Sequence, residues 1–193
     1  MKHFYQDIQG WFTFPTVYRR LVELSEGESH FVEVGAWKGK SCAYMAVEIL
    51  NSGKPIRFDI VDTFKGSEEH IDENSTTFEP VLKETGSIRT LFDKNMEPVL
   101  DSVNVLEMDS LTASKMYEDN SLDFIFIDAA HDYESVKQDI NSWFSKVKND
   151  GIFAGHDAFY PPVAKAVQEF ASEKQVSFVT IEDCWIFDLT HVD

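Results

Sequence analysis

Four ionisable residues stand just after two apolar runs. Asp128 and His131 belong to Asp128-Ala129-Ala130-His131, which follows Leu122 to Ile127; His156 and Asp157 follow the run Gly151 to Ala154. Carboxylates and imidazoles are ligands for divalent cations, and a neutral imidazole near pH 7 can also take a proton. In a parallel sheet both runs end at the same edge, and neighbouring strands lie ~4.8 Å apart, so side chains from the two ends can share one ion. A plainer alternative stays open: Asp128 and Asp132 cap the next helix, and His131 is solvated.

A second constellation lies earlier in the chain. Glu33-Val34-Gly35-Ala36-Trp37-Lys38-Gly39 sits where an apolar run ends and a helical pattern begins, so Gly35 can make the tight turn that brings backbone close to a cofactor. The turn is not Gly-x-Gly-x-x-Gly. Trp37 occupies the middle glycine position and would crowd a pyrophosphate, which disfavours NAD and FAD. Asp62, with Thr63 and Phe64 behind it, ends the next strand-like run, where a carboxylate can accept from two ribose hydroxyls. Asp109-Ser110 follows a third run, within reach of an adenine amino group. Each acid alone is equally a cap or turn residue; their placement after three successive strands favours a nucleoside site.

The elements that must position these residues alternate. His30 to Val34, Ile56 to Val61, Val103 to Met108, Leu122 to Ile127 and Gly151 to Ala154 read as strands, with helices at Lys40 to Leu50, Tyr133 to Val147 and Pro161 to Ala171. Val176 to Ile181 and Cys184 to Leu189 are joined only by Glu182-Asp183, too short for a parallel crossover, so they pair as an antiparallel hairpin. The expected fold is α/β: a doubly wound, Rossmann-like, mostly parallel seven-stranded sheet ending in that hairpin. One domain is expected over residues 1–193, with 64–102 as an inserted segment that packs over the substrate as a lid. Phe78 to Met96 should be its helical part. The first fifteen residues, rich in Phe, Tyr and Trp, fit a lid, a core flank or a dimer contact.

Composition narrows the partners. The 193 residues carry 17 basic and 34 acidic side chains, a net charge of -17, which disfavours nucleic acid. No apolar stretch approaches a membrane span and no secretion signal is evident, so a cytoplasmic protein with a small-molecule substrate and no membrane partner is expected. A homo-oligomer is left open. Cys42 and Cys184 read as reduced packing residues.

Glu33 to Met45, EVGAWKGKSCAYM, resembles the first motif of the macrocin and mycinamicin type of sugar O-methyltransferases, and Asp62-Thr63-Phe64-Lys65-Gly66 resembles their Asp-x-Phe-x-Gly motif. Asp128-Ala129-Ala130-His131 and Gly155-His156-Asp157 are similar to that family's metal and catalytic motifs. The resemblance spans residues 30 to 170. It implies a class I methyltransferase fold, S-adenosylmethionine as methyl donor, and O-methylation of a small hydroxylated molecule such as a sugar, assisted by a divalent cation. Carried onto this chain, Glu33, Gly35, Ala36, Trp37, Gly39, Ser41, Asp62, Thr63, Phe64, Asp109, Ser110 and Asp128 would bind the cofactor. Asp128, His156 and Asp157 would hold the ion, and His131 would act as base. The chain departs from the family in lacking its long N-terminal extension and in placing His156 where an acidic ligand is usual. That imidazole widens the choice of ion from Mg²⁺ to Mn²⁺ or Fe²⁺. Two competing expectations are an oxygenase using His131, His156 and one carboxylate as an iron site, and a domain that binds cofactor or a partner without turnover. His3, His30, His70 and His191 are expected to be surface or packing residues.

Overall fold

The computed structural model describes residues 1–189, so His191 lies outside the described residues. Seven strands form one sheet: β1 Ser29–Val34, β2 Ile56–Asp62, β3 Asn104–Glu107, β4 Leu122–Ile127, β5 Val147–Gly155, β6 Ser177–Ile181 and β7 Cys184–Asp188. Their order is β3-β2-β1-β4-β5-β7-β6. β1 to β5 pair in parallel, whereas β7 runs antiparallel to both β5 and β6. The two-residue turn Glu182-Asp183 closes the terminal hairpin with both residues left-handed, at φ +50° and +62°, the conformation a tight hairpin with right-handed strand twist requires. This is the doubly wound sheet with an antiparallel end that the apolar pattern implies.

Among the described residues eight α-helices connect and cover it: α1 Pro15–Leu24, α2 Lys40–Ser52, α3 Glu68–Ile71, α4 Pro80–Thr85, α5 Arg89–Met96, α6 Ser110–Ser114, α7 Tyr133–Trp143 and α8 Pro161–Lys174. On one face Val17, Tyr18 and Leu21 of α1 and Cys42, Met45 and Val47 of α2 pack on Phe31, Phe58, Phe124 and Phe126. On the other, Val136, Ile140 and Trp143 of α7 and Val163, Val167 and Phe170 of α8 pack on Ile125, Phe153 and Phe187. The central strands are therefore buried on both sides, which is why they read as unbroken apolar runs. Both cysteines are buried free thiols. No described helix is long and apolar enough to cross a membrane.

The segment between β2 and β3 differs from expectation. Phe78 to Met96 is not one helix: α4 stops at Gly86, left-handed at φ +75°, and α5 starts afresh at Arg89. Glycine is favoured there because it adopts that backbone without Cβ strain, so the chain turns instead of continuing. The N-terminal aromatics resolve into a core flank. Phe14 and Tyr18 are fully buried against Phe126, and Phe12 meets Tyr44 of α2. Trp11 alone among the neighbouring large rings Phe12 and Phe14 stays over half exposed.

Candidate active site

The carboxyl ends of β1, β2, β4 and β5 open into a cavity of about 750 Å³, in the range of small-molecule sites. Its foundation is Gly35. At φ +93° it makes the turn out of β1, and a Cβ there would lie 1.9 Å from the Asp128 carbonyl oxygen. Its N–H donates to Val61 O at 2.8 Å. Asp62 completes the turn from β2: Oδ2 accepts from the Ala36 and Trp37 amides at 2.6 and 2.9 Å, and Oδ1 from the Phe64 amide at 2.6 Å. Burial nonetheless raises the Asp62 carboxyl above its ordinary range, more than these three donors lower it. One carboxylate thus fixes two loops and still faces the cavity.

Gly35, Ala36, Trp37, Ser41, Asp62, Thr63, Asp109, Ser110 and Asp128 all line this space, as do His131, His156 and Asp157. Glu33, Gly39 and Phe64 do not. Glu33 is fully buried beneath the turn and accepts a hydrogen bond from Ser41 Oγ; desolvation pushes its carboxyl up to about 8. Gly39 caps α2 at φ +89° and faces Met96 and Phe92, while Phe64 is buried against Phe92 at 4.9 Å between ring centres. These three shape the turn from behind. Asp109 lines the cavity and is also the N-cap of α6, accepting from the Thr112 amide at 2.9 Å. Ser110 Oγ accepts from Trp143 Nε1 at 2.8 Å. Beside it Asp139, which the apolar pattern gave no reason to single out, lines the same wall, its carboxyl raised by burial to about 6.

The four ionisable residues of β4 and β5 do converge. His131 Nε2 lies 3.0 Å from Asp157 Oδ2 and 3.9 Å from Asp128 Oδ1. His156 Nδ1 lies 3.6 Å from Asp128 Oδ1 and 3.3 Å from Asp157 Oδ2, and its Nε2 is 3.0 Å from Thr13 Oγ1. Asp157 adopts φ +57°, a costly backbone for a non-glycine residue that turns its side chain into the group. Hydrogen bonding to Asp128 and then to Asp157 raises the His131 imidazole to about 10 against the opposing effect of burial. Burial lowers His156 most, yet the same two carboxylates overcome it and hold that imidazole at about 10 as well. Burial also works against the carboxylates of Asp128 and Asp157, but the histidines hold both below the ordinary range. One ligand atom from each of Asp128, His131 and Asp157 lies within 4.8 Å of the others, and the same is true of His156, Asp157 and Asp183. His131 therefore stands among the ligand-capable atoms, not only beside them.

Besides Asp139, three contributors escape sequence reasoning. Glu69 Oε1 comes 3.6 Å from His131 Nδ1, Asp183 reaches in from the terminal hairpin, and His70 lines the cavity with its ring 4.1 Å from that of Trp37. The expectation for His70 as a mere surface or packing residue is thus corrected, because the inserted segment folds back over the turn. Lys38 anchors that return by pairing with Glu79, and Asn95 Nδ2 donates to Lys38 O at 2.9 Å. His30 and His3 are packing residues as expected, bound to Asp59 at 2.8 Å and Glu48 at 2.6 Å. Nothing in a linear sequence links Glu69 or Asp183 to residues 128–157; only the chain path does.

The fold recurs in solved structures. The O-methyltransferase NovP superposes with a TM-score of 0.67 at 19% identity, over 90% of this chain and 78% of that one. The calicheamicin methyltransferase CalS11 gives 0.58 at 13% identity, over 89% and 75%. The SAH-bound methyltransferase PaMTH1 of Podospora anserina gives 0.56 at 10%, over 94% and 90%. No curated protein matches the sequence. A family model described as a methyltransferase domain matches residues 32–158, from β1 through the Asp128 and Asp157 cluster, and the chain belongs to that methyltransferase family.

Proposed function

We propose that the chain transfers the methyl group of S-adenosylmethionine to a hydroxyl of a small molecule such as a sugar, with a divalent cation at the β4 and β5 ends. The observation that supports this most is the convergence of Asp128, His131, His156 and Asp157 on the cavity built around Gly35 and Asp62. The methyl donor supplies its own leaving group, so the protein needs no nucleophile; it must place the acceptor oxygen in line and remove its proton. In this reading Asp62 receives the ribose hydroxyls on its remaining lone pairs, and Asp109 with Ser110 faces the adenine. The Gly35 turn lets the donor approach backbone closely. The inserted segment from Phe64 to Ser102 forms part of the enclosure through Glu69 and His70.

The donor set suits a cation. Asp128, His131 and Asp157 converge within 4.8 Å, as do His156, Asp157 and Asp183, so carboxylate and imidazole donors gather around Asp157. A divalent ion held by Asp128, Asp157 and His156 would supply Lewis acidity that makes an acceptor hydroxyl easier to deprotonate. His131 is the candidate base: Asp128 and Asp157 raise its imidazole to about 10, and an ion that took over those carboxylates would lower it toward the range where it can accept the hydroxyl proton. Imidazole among the donors fits Mn²⁺ or Fe²⁺ as well as Mg²⁺.

Methyl transfer from labelled S-adenosylmethionine to a panel of polyhydroxylated acceptors tests the assignment. Chelation should abolish transfer and leave S-adenosylhomocysteine binding largely intact. Full activity in excess chelator would remove the cation from the account. Asp157→Ala should lose metal; if His131→Ala loses as much, His131 is a ligand and not the base.

A further inference from the structure

The charge around the reacting end of the cavity is one-sided. Glu69, Asp128, Asp157 and Asp183 surround His131 and His156, whereas among the described residues Lys40 is the only lysine or arginine lining the cavity. Lys40 opens α2 on the cofactor side of the site, its side chain beside Gly10. Beyond Asp128 and Asp157, which would hold a divalent cation, Glu69 and Asp183 add two further carboxylates. Glu69 is 3.6 Å from His131, and Asp183 groups with His156 and Asp157 within 4.8 Å, so both act at the position an acceptor hydroxyl must take. A phosphate, sulfate or carboxylate brought there would lose water and meet like charge, with no arginine or lysine among the described residues at that end of the cavity to receive it.

The rim offers something else. Trp11 and Tyr160 line the cavity yet are 56% and 51% exposed, with Phe159 beside them at 74%. Tyr160 stands nearly perpendicular to His131, ring centres 6.1 Å apart. A ring whose hydroxyl reached His131 would therefore lie along the Tyr160 side chain. Aromatic faces of this kind hold planar or C–H-rich rings by stacking.

We infer that the acceptor is a hydroxylated ring compound with no negative charge, held against Trp11 and Tyr160, and that Glu69 and Asp183 turn anionic acceptors away. This rests on the methyltransferase reading above and names its substrate class. The test uses the full chain saturated with S-adenosylhomocysteine and Mg²⁺, titrated calorimetrically with three probes that share one dihydroxyphenyl ring: 4-methylcatechol, dopamine and 3,4-dihydroxybenzoate. The benzoate should bind at least about tenfold more weakly than methylcatechol, and dopamine at least as tightly. The double variant Glu69→Gln, Asp183→Asn should close most of that gap, while Trp11→Ala should weaken all three probes alike. Asn at 183 can still accept from the Phe159 amide, as Asp183 does at 3.2 Å, so the hairpin contact survives. Equal or tighter binding of the benzoate would overturn the inference. So would failure of all three probes to bind a protein that holds S-adenosylhomocysteine. Failure of S-adenosylhomocysteine itself to bind would instead overturn the methyltransferase reading, and this inference with it.

Discussion

Asp157→Asn removes the carboxylate that His131 and His156 share, at 3.0 and 3.3 Å. Moving an imidazole from its ordinary 6.5 to about 10 corresponds to about 5 kcal/mol of preference for the charged form, an upper bound divided between Asp128 and Asp157. Asp128 is the larger contributor to both. For His131, whose side chain is 35% exposed, solvent screening leaves Asp157 about 1 kcal/mol; for His156, 9% exposed, about 2 kcal/mol is reasonable. The assay is an NMR titration of the histidine ring protons in metal-free protein. Wild-type His131 and His156 should remain protonated well above pH 7, and the Asn variant should bring both down, His156 further. The stability profile follows with a definite sign. Imidazoles raised in the fold contribute fully below about pH 6.5, and that contribution is lost as pH climbs through about 10. Metal-free wild type should therefore weaken across that interval, and Asp157→Asn should show a flatter curve. Adding Mg²⁺ should lower both imidazoles, since the ion takes over their carboxylates. Wild-type histidines titrating near 6.5, or an Asn variant that titrates unchanged, would refute the electrostatic account.

Gly35→Ala should be among the most damaging single changes, because its Cβ would sit 1.9 Å from the Asp128 carbonyl; a urea midpoint within error of wild type would contradict the close crossing of β1 and β4. Glu33→Gln should gain stability relative to wild type as pH rises from about 5 to 8.5. The buried carboxyl is held at about 8, so ionisation in the unfolded chain costs wild type a few kcal/mol over that range, and parallel denaturation profiles would be evidence against it. Limited proteolysis between Gly66 and Thr77 should slow when S-adenosylhomocysteine and an acceptor are present; cleavage indifferent to both would remove the lid role of the insertion.

Much of the frame was legible because the central strands are buried on both faces and so appear as short apolar runs between turn residues. The hairpin followed from a two-residue spacer that admits no crossover. β5 was harder. It starts at Val147, four residues before the expected Gly151, through the polar stretch Lys148-Asn149-Asp150, where it pairs past a register shift opposite Leu122 and Phe124. Polar residues at a strand entrance carry no apolar signal. The site was half legible. Residues at or just past strand ends, Asp62, Asp109, Asp128, His156 and Asp157, all reached the cavity, because strand direction alone brings them to one edge. Glu33, Gly39 and Phe64 share the same motifs but point inward, a distinction that side-chain alternation and helix phase settle only in three dimensions. Glu69, His70 and Asp183 arrive from an insertion and a hairpin whose return paths depend on contacts such as Lys38 with Glu79.

Calorimetric titration of the purified chain with S-adenosylhomocysteine, set beside NADH, bears most directly on the cofactor assignment. One saturable site for S-adenosylhomocysteine is expected, with no binding of NADH. Asp62→Ala should weaken it by about tenfold or more, the loss of a charge-assisted hydrogen bond. Binding of NADH in its place, or an Asp62→Ala variant with undiminished affinity for S-adenosylhomocysteine, would contradict it.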